Sequence, residues 1–111
     1  MEERYSSYRI MWIMVFFDLP VETKVERKIA ADFRKKLITD GFTMFQFSVY
    51  LRHCSSMENA TVHIRRVKNN LPPKGQVGIL TITDKQFGSM ELFFEQKHKD
   101  KPQSYVQLEL F

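Results

Sequence analysis

Eight consecutive apolar residues, Ile10-Met11-Trp12-Ile13-Met14-Val15-Phe16-Phe17, follow a polar leader and end at Asp18-Leu19-Pro20. The run has neither helical nor alternating period, which predicts a strand buried on both faces. Thr23-x-x-Glu26 is a capping-box signature, and Val25, Ile29, Phe33 and Leu37 then recur on one side until Gly41. A helix is therefore expected over about residues 23–40. Between Phe42 and Arg52, Phe45, Phe47, Val49 and Leu51 alternate with Met44, Gln46, Ser48 and Tyr50, the pattern of a strand with one apolar face. Ser55-x-x-Glu58 opens a second amphipathic helix through Met57, Ala60, Ile64, Val67 and Leu71, which Pro72-Pro73 stops. Gln76–Thr83 and Met90–Glu95 read as two further strands.

Counted this way the order is β-α-β-α-β-β. A ferredoxin-like domain requires β-α-β-β-α-β, with a hairpin before the second helix. The 13 residues from Phe42 to Cys54 are long for one strand and short for two, unless the turn is tight or a bulge bends the chain. Residues 1–96 form one expected domain with a short N-terminal leader. Residues 97–111 read as a charged, Pro-containing linker followed by an alternating strand, Tyr105-Val106-Gln107-Leu108-Glu109-Leu110-Phe111, that needs an edge to pair with.

Two helices on a small sheet cover one of its faces, yet the first strand is apolar on both. A homodimer with an identical chain packed sheet to sheet is therefore expected, the alternative being an extra segment of the same chain that fills the gap.

Composition narrows the class. The chain has 111 residues, 43% of them hydrophobic, with ten Phe, enough for a core. A single Cys excludes an internal disulfide, a Cys-rich zinc cluster and a CxxC redox pair. The longest apolar run is too short to span a bilayer, and Met1-Glu2-Glu3-Arg4 is not the basic flank of a signal peptide, so a soluble cytoplasmic protein with no membrane partner is expected. The net charge is +4, and it is unevenly spread. Residues 52–74, with Arg52, Arg65, Arg66, Lys68 and Lys74 against Glu58, hold the largest excess, as a polyanion-binding face or a solvated helix face would.

The chemistry-bearing residues are few. Asp18 at the end of the apolar strand either begins the turn into Pro20 or, if two strand ends meet at a dimer axis, becomes half of a carboxylate pair. Mg²⁺ takes one or two carboxylates plus waters and phosphate oxygens, so such a pair would be enough. Asp32, Asp40 and Asp84 read as helix-surface or loop-forming residues, and no second acidic ligand stands at short spacing. His53 and Cys54 are strand neighbours that point to opposite faces and do not form a nucleophile–base pair. His63 flanks the apolar stripe of the second helix as a boundary residue. Gly41, Gly75, Gly78 and Gly88 are too scattered for a phosphate-binding loop. Arg27, Lys28 and Arg34 decorate the first helix among acids, whereas Arg65, Arg66 and Lys68 on the second face only Glu58. All six are candidates for phosphate contacts, which confer affinity and salt dependence without reading sequence. No RNP-type strand is present.

Val15-Phe16-Phe17-Asp18-Leu19-Pro20, Thr23-Lys24-x-Glu26-Arg27-Lys28, Phe33-Arg34-Lys35-Lys36-Leu37, Gly41-Phe42 and Gln46-Phe47-Ser48-Val49-Tyr50 closely resemble the CRISPR-associated protein two family, the small partner of the CRISPR integrase. Asn70-Leu71-Pro72-Pro73-x-Gly75 and Thr83-Asp84-Lys85-Gln86-Phe87 are similar to the variant found with a single large effector nuclease. The likeness runs over about residues 8–95. It implies an α+β, ferredoxin-like sandwich, homodimeric, here with an added C-terminal strand; the missing hairpin would then lie in residues 42–54 or in Gln76–Glu95. It also implies spacer acquisition, with the homodimer bridging integrase dimers and holding a double-stranded DNA prespacer through its backbone. Magnesium-dependent endonuclease activity on RNA or DNA is implied as well, with Mg²⁺ or another divalent cation as cofactor. The family's strand-end metal aspartate falls on Asp18 and its helix arginines on Arg27 and Arg34. The alternative is a metal-dependent ribonuclease that acts without the integrase, such as a toxin of related fold.

Overall fold

The computed structural model describes residues 10–95 and the backbone of residues 97–99. Along the chain run β1 (Met11–Asp18), α1 (Lys24–Thr39), β2 (Thr43–Gln46), β3 (Val49–Cys54), α2 (Met57–Lys68), β4 (Gln76–Thr83), α3 (Asp84–Gly88), β5 (Leu92–Phe94) and β6 (Lys97–Lys99). The first four strands form one sheet in the order β2-β3-β1-β4. Every neighbouring pair in it is antiparallel. With α1 between β1 and β2 and α2 between β3 and β4, this arrangement is consistent with a ferredoxin-like sandwich. The expected leader, most of the linker and the strand at residues 105–111 lie outside the described residues.

The hairpin occupies residues 43–54, which resolves the ambiguity in the element count. Phe47 and Ser48 alone connect β2 to β3, and the register shifts between Met44 and Gln46. A tight turn and an irregularity together let so short a stretch make two strands. The alternation read as one apolar face is thereby broken. Tyr50 is buried among the helix-facing residues, Leu51 is buried on the other face, and Phe47 is 69% exposed at the turn.

Successive residues of β1 point to opposite faces. Met11, Ile13, Val15 and Phe17 pack with Phe33 and Leu37 of α1, Tyr50 and Cys54 of β3, and Ala60 and Val67 of α2, so both helices lie on one side. Phe17 meets Phe33 edge to face at 5.2 Å. Helix α1 begins at a complete capping box. Thr23 Oγ1 accepts from the Glu26 N–H at 3.0 Å, and Glu26 Oε1 accepts from the Thr23 N–H at 3.0 Å. That bond from the Thr23 backbone is the chief cause holding the Glu26 carboxyl below its ordinary value. The buried stripe of α1 is Ala30, Phe33 and Leu37, while Val25 is exposed one turn too early to reach the sheet.

The opposite face is closed at one end by α3, an element the sequence reading missed although Thr83-x-x-Gln86 is a further capping box. Phe87 stacks on Trp12 with ring centroids 4.1 Å apart. Asp84 pins the corner, since Trp12 Nε1 donates to Asp84 Oδ1 at 2.8 Å and the Asp84 N–H donates to the Ile10 carbonyl at 2.9 Å. An extra segment of the same chain thus covers Trp12 and Leu51, and leaves Phe16 45% and Leu80 47% exposed further along.

The strand expected at residues 90–95 shrinks to β5. It pairs antiparallel with β6 in a separate two-stranded sheet rather than joining the main one. Residues 97–99, read as the start of the linker, are therefore strand. Glu95, at φ 53°, lies in the left-handed region at the reversal between them.

His63 and Asp40 tie the helix layer together. The buried His63 ring has Nδ1 2.9 Å from Asp40 Oδ2, and Arg66 Nη1 donates to Asp40 Oδ1 at 2.7 Å. Arg52 Nε donates to the Asp40 backbone carbonyl at 2.8 Å. Burial raises the Asp40 carboxyl, but the bonds from His63 and Arg66 outweigh it and hold the group below its ordinary value. A carboxyl so lowered stabilises the fold at pH values above its ordinary value of 3.8, and that contribution is lost as pH falls through the lower folded value. Asp40→Asn is expected to cost about 2 kcal/mol in urea unfolding at neutral pH. The gap between the variant and the parent should narrow on acidification below about pH 4.

Candidate functional site

Asp18 is the last residue of the central strand, and its carboxylate is exposed. By register it stands opposite Gln76, on the face away from the helices that also carries Phe16. Together with Phe17, Ser48, Val49, Val77 and Gly78 these residues line an open depression of about 350 Å³. Two glycines shape it. A Cβ on Gly78 would lie 2.3 Å from the Phe16 ring, so the ring crosses β4 only because that position is glycine. Gly75 has φ +90°, and a Cβ there would lie 2.6 Å from the Asp18 carbonyl oxygen and 2.8 Å from Leu19 Cδ2. The loop before β4 thus presses on the backbone of Asp18 and sets where β1 ends.

The β2–β3 turn closes the third side. The Phe17 N–H donates to the Ser48 carbonyl at 3.1 Å. Arg34 Nε donates to the Phe47 carbonyl at 3.4 Å, with its guanidinium carbon 4.1 Å from the Phe47 ring centre and 5.4 Å from that of Phe17. Ser48, Gln76, Gly75 and Gly78 were missed as parts of a site. Pairing of β1 with β4, the Phe17–Ser48 backbone bond and the loop entering β4 bring them beside Asp18, from segments about 30 and 60 residues away along the chain.

Among the described residues no group of three or more His, Cys, Asp or Glu is placed to hold a metal ion. Asp18 offers one hard carboxylate with an amide and a hydroxyl lining the same depression. That donor set suits Mg²⁺, which keeps most of its waters and takes phosphate oxygens, and does not suit a metal needing a full protein cage.

The basic candidates fall elsewhere. Arg27, Lys28 and Arg34 are on α1 and Arg65, Arg66 and Lys68 on α2, on the side of the sheet away from the Asp18 carboxylate. One chain therefore does not bring the acid and these cations onto one face. Arg27 Nη1 donates to the carbonyls of Val21 and Glu22 at 3.0 and 3.1 Å, bracing the β1–α1 connection. Lys28 Nζ lies 3.6 Å from Asp32 Oδ2. Arg66 is engaged with Asp40, while Arg65 and Lys68 are exposed and make no side-chain bond to the described residues. Arg27 and Arg34 keep several of their five guanidinium donors for other groups.

The fold and site define a small α+β protein with a strand-end acid on one sheet face and a cationic helix layer on the other, chemistry suited to phosphate groups. Comparison with known proteins names the class. The sequence model of the family described as CRISPR associated protein Cas2 matches residues 11–90. The CRISPR-associated endoribonuclease Cas2 of Flavobacterium psychrophilum is 58% identical over 108 residues, covering 97% of this chain and 94% of that one. The protein of the same name from Parvibaculum lavamentivorans is 50% identical over 101 residues, covering 91% of this chain and 100% of its own. That of Paracidovorax avenae is 43% identical over 106 residues, covering 96% and 98%. The chain belongs to the Cas2 family. No helix among the described residues is long and apolar enough to cross a membrane.

Gly75→Ala tests how the acid is placed. The added Cβ meets backbone rather than a flexible side-chain end, and the left-handed φ adds strain. A loss of about 2 kcal/mol in urea unfolding is expected, whereas Gly88→Ala, with nothing within 4 Å of its Cβ, should leave stability nearly unchanged.

Proposed function

We propose that this protein acts in CRISPR spacer acquisition as a homodimer that bridges integrase dimers and binds a double-stranded prespacer through its phosphate backbone. A divalent-metal-dependent endonuclease activity resides at Asp18. The observation that carries this reading is the pairing of a lone exposed acid with an incompletely covered apolar face, in a chain of the Cas2 family. Phe16 and Leu80 remain about half exposed on the sheet face that Asp18 terminates. A second copy laid on that face would bury them and add a second carboxylate, supplying what one chain lacks. Its outward helix layer would then present Arg65 and Lys68 twice over, as a duplex held by its backbone requires.

Asp18 would hold Mg²⁺, with Gln76 and Ser48 available to order its waters. When bound, the cation polarises a phosphodiester oxygen and makes a coordinated water a better nucleophile. The name endoribonuclease, which the relatives bear, favours RNA as the strand cut at this site. That second reading needs Asp18 but not the integrase.

Three outcomes are expected. Light scattering of the full chain should give the mass of two copies, and Leu80→Lys should shift it to one. Asp18→Ala should abolish Mg²⁺-dependent cleavage of single-stranded RNA and leave spacer integration with purified integrase intact; loss of integration with the dimer preserved would contradict the bridging role. Arg65→Glu combined with Lys68→Glu should weaken duplex binding and, because each residue is presented by both copies, lower the slope of log affinity against log salt by up to about 4. Arg66 is unsuitable for that test because its substitution also breaks the contact with Asp40.

A further inference from the structure

We propose that His63 and Asp40 form a proton-operated latch on Arg66, which passes its guanidinium to the phosphate backbone of a bound duplex when His63 takes up a proton. This rests on the reading of the helix layer as the duplex-binding face and gives that face a pH-dependent cation. The three groups run in a line from core to solvent. The His63 side chain is 7% exposed, that of Asp40 17% and that of Arg66 58%. Asp40 gives one carboxylate oxygen to each neighbour, Oδ2 to His63 Nδ1 at 2.9 Å and Oδ1 to Arg66 Nη1 at 2.7 Å. Of the two, only Arg66 is exposed enough to turn outward, and its helix carries the exposed Arg65 and Lys68 that the duplex reading already uses. His63 itself interrupts the buried stripe of α2 between Ala60 and Val67. Holding a carboxylate is a task that Asn or Gln performs without changing charge, whereas imidazole gains a charge between about pH 8 and pH 5.

Protonation changes what Arg66 leaves behind. Although burial raises it, the bonds from His63 and Arg66 hold the Asp40 carboxyl below its ordinary value, so it is ionised wherever imidazole titrates. An ionised carboxylate only accepts, so Nδ1 carries the ring hydrogen and a second proton goes to Nε2. With the ring neutral, departure of Arg66 strands a mostly buried carboxylate without a counter-charge. With the ring cationic, an imidazolium–carboxylate pair remains and the guanidinium leaves at little cost. The other groups around His63 do not substitute for it. Arg52 of β3 is fixed on the carbonyls of Asp40 and His53 at 2.8 and 2.9 Å, and the Cys54 thiol shares that face of β3. On the same side β1 carries Met11, Ile13, Val15 and Phe17, and β4 carries Val77, Ile79, Thr81 and Thr83, none of them titratable. The buried stripe of α1 is apolar and its Lys35 and Lys36 are exposed, as are Glu58, Arg65 and Lys68 of α2. Coupling of this kind is reciprocal, so a bound duplex in turn raises the proton affinity of His63.

Binding of a short labelled DNA duplex to the full chain is measured by fluorescence anisotropy in EDTA at constant ionic strength, from about pH 8 to about pH 5.5. Over that range the parent should gain roughly tenfold more affinity than His63→Gln, which keeps a donor for Asp40 but cannot charge. Asp40→Asn, which holds Arg66 weakly at any pH, should show no more pH dependence than His63→Gln. His53, packed against Trp12 at 5.1 Å on the other sheet face, is present in all three proteins, so its titration cancels. In the parent itself, the NMR titration of the His63 ring, assigned through its helical neighbours Ala60 and Val67, should move to higher pH when duplex is added. That measurement requires neither variant to fold. Equal pH dependence in the parent and His63→Gln, parent-like dependence in Asp40→Asn, or a His63 titration that duplex leaves in place overturns the latch. The two readings fail separately. A His63-dependent gain that survives Arg65→Glu with Lys68→Glu at undiminished affinity keeps the latch and removes those two residues as the duplex contacts. Affinity that falls in that double variant, without a His63-dependent gain, does the reverse, and no duplex binding at any pH overturns both.

Discussion

A central strand that must be dry on both sides governs this molecule. β1 lies between β3 and β4 and contributes Met11, Ile13, Val15 and Phe17 to one core and Trp12 to the other. Hydrophobic burial rewards every one of these contacts, and no polar position in the strand relieves the demand until Asp18. Helices α1 and α2 meet it on one side. On the other, α3 covers only the Trp12 end. Of what the chain leaves uncovered, Phe16 lines the depression at the acid and Leu80 lies further along the same face, opposite Met14, so the packing deficit and the candidate chemistry share one face of the sheet. The proposed dimer answers both with one surface.

Polar groups in the helix layer serve the fold as much as any ligand. Asp40 receives Arg66 and His63 on its carboxylate and Arg52 on its carbonyl, joining the end of α1 to α2 and β3. Arg27 braces the β1–α1 connection and Arg34 the β2–β3 turn. A basic residue counted from sequence as a phosphate ligand can already be committed within the chain. Arg65 and Lys68 differ because neither has an acid or carbonyl within reach among the described residues, which leaves their charge to the solvent side.

Much of the architecture was legible in the sequence because it is written in local periodicity. The unbroken apolar run from Ile10 to Phe17, the Thr23-x-x-Glu26 box, the stripe through Ala60 and Val67 and the β-rich Gln76–Thr83 all report burial directly. The hairpin in residues 43–54 was not decided there. Alternation looks the same whether a chain continues or reverses at Phe47-Ser48, and only pairing with β1 distinguishes the two. Helix α3 was overlooked because five residues contain a single buried side chain, Phe87, although its Thr83-x-x-Gln86 box was available as a signal. Asp40 was read as loop chemistry because its partners, His63 and Arg66, are more than twenty residues away.

By itself the sequence determined the class of fold, the order of the long elements and the family, because each depends on patterns that a short window of residues carries. It also marked Asp18 as the acid at the strand end. Only the tertiary structure decided what surrounds that acid. Gln76 and Gly78 reach it through strand pairing, Ser48 through the adjoining hairpin turn, and Gly75 through the loop that enters β4. It also decided that the acid and the helix cations lie on opposite faces of one sheet. Side chains alternate across a strand, so which face a residue shares with a distant neighbour follows from register, and register is set by contacts that no local pattern records.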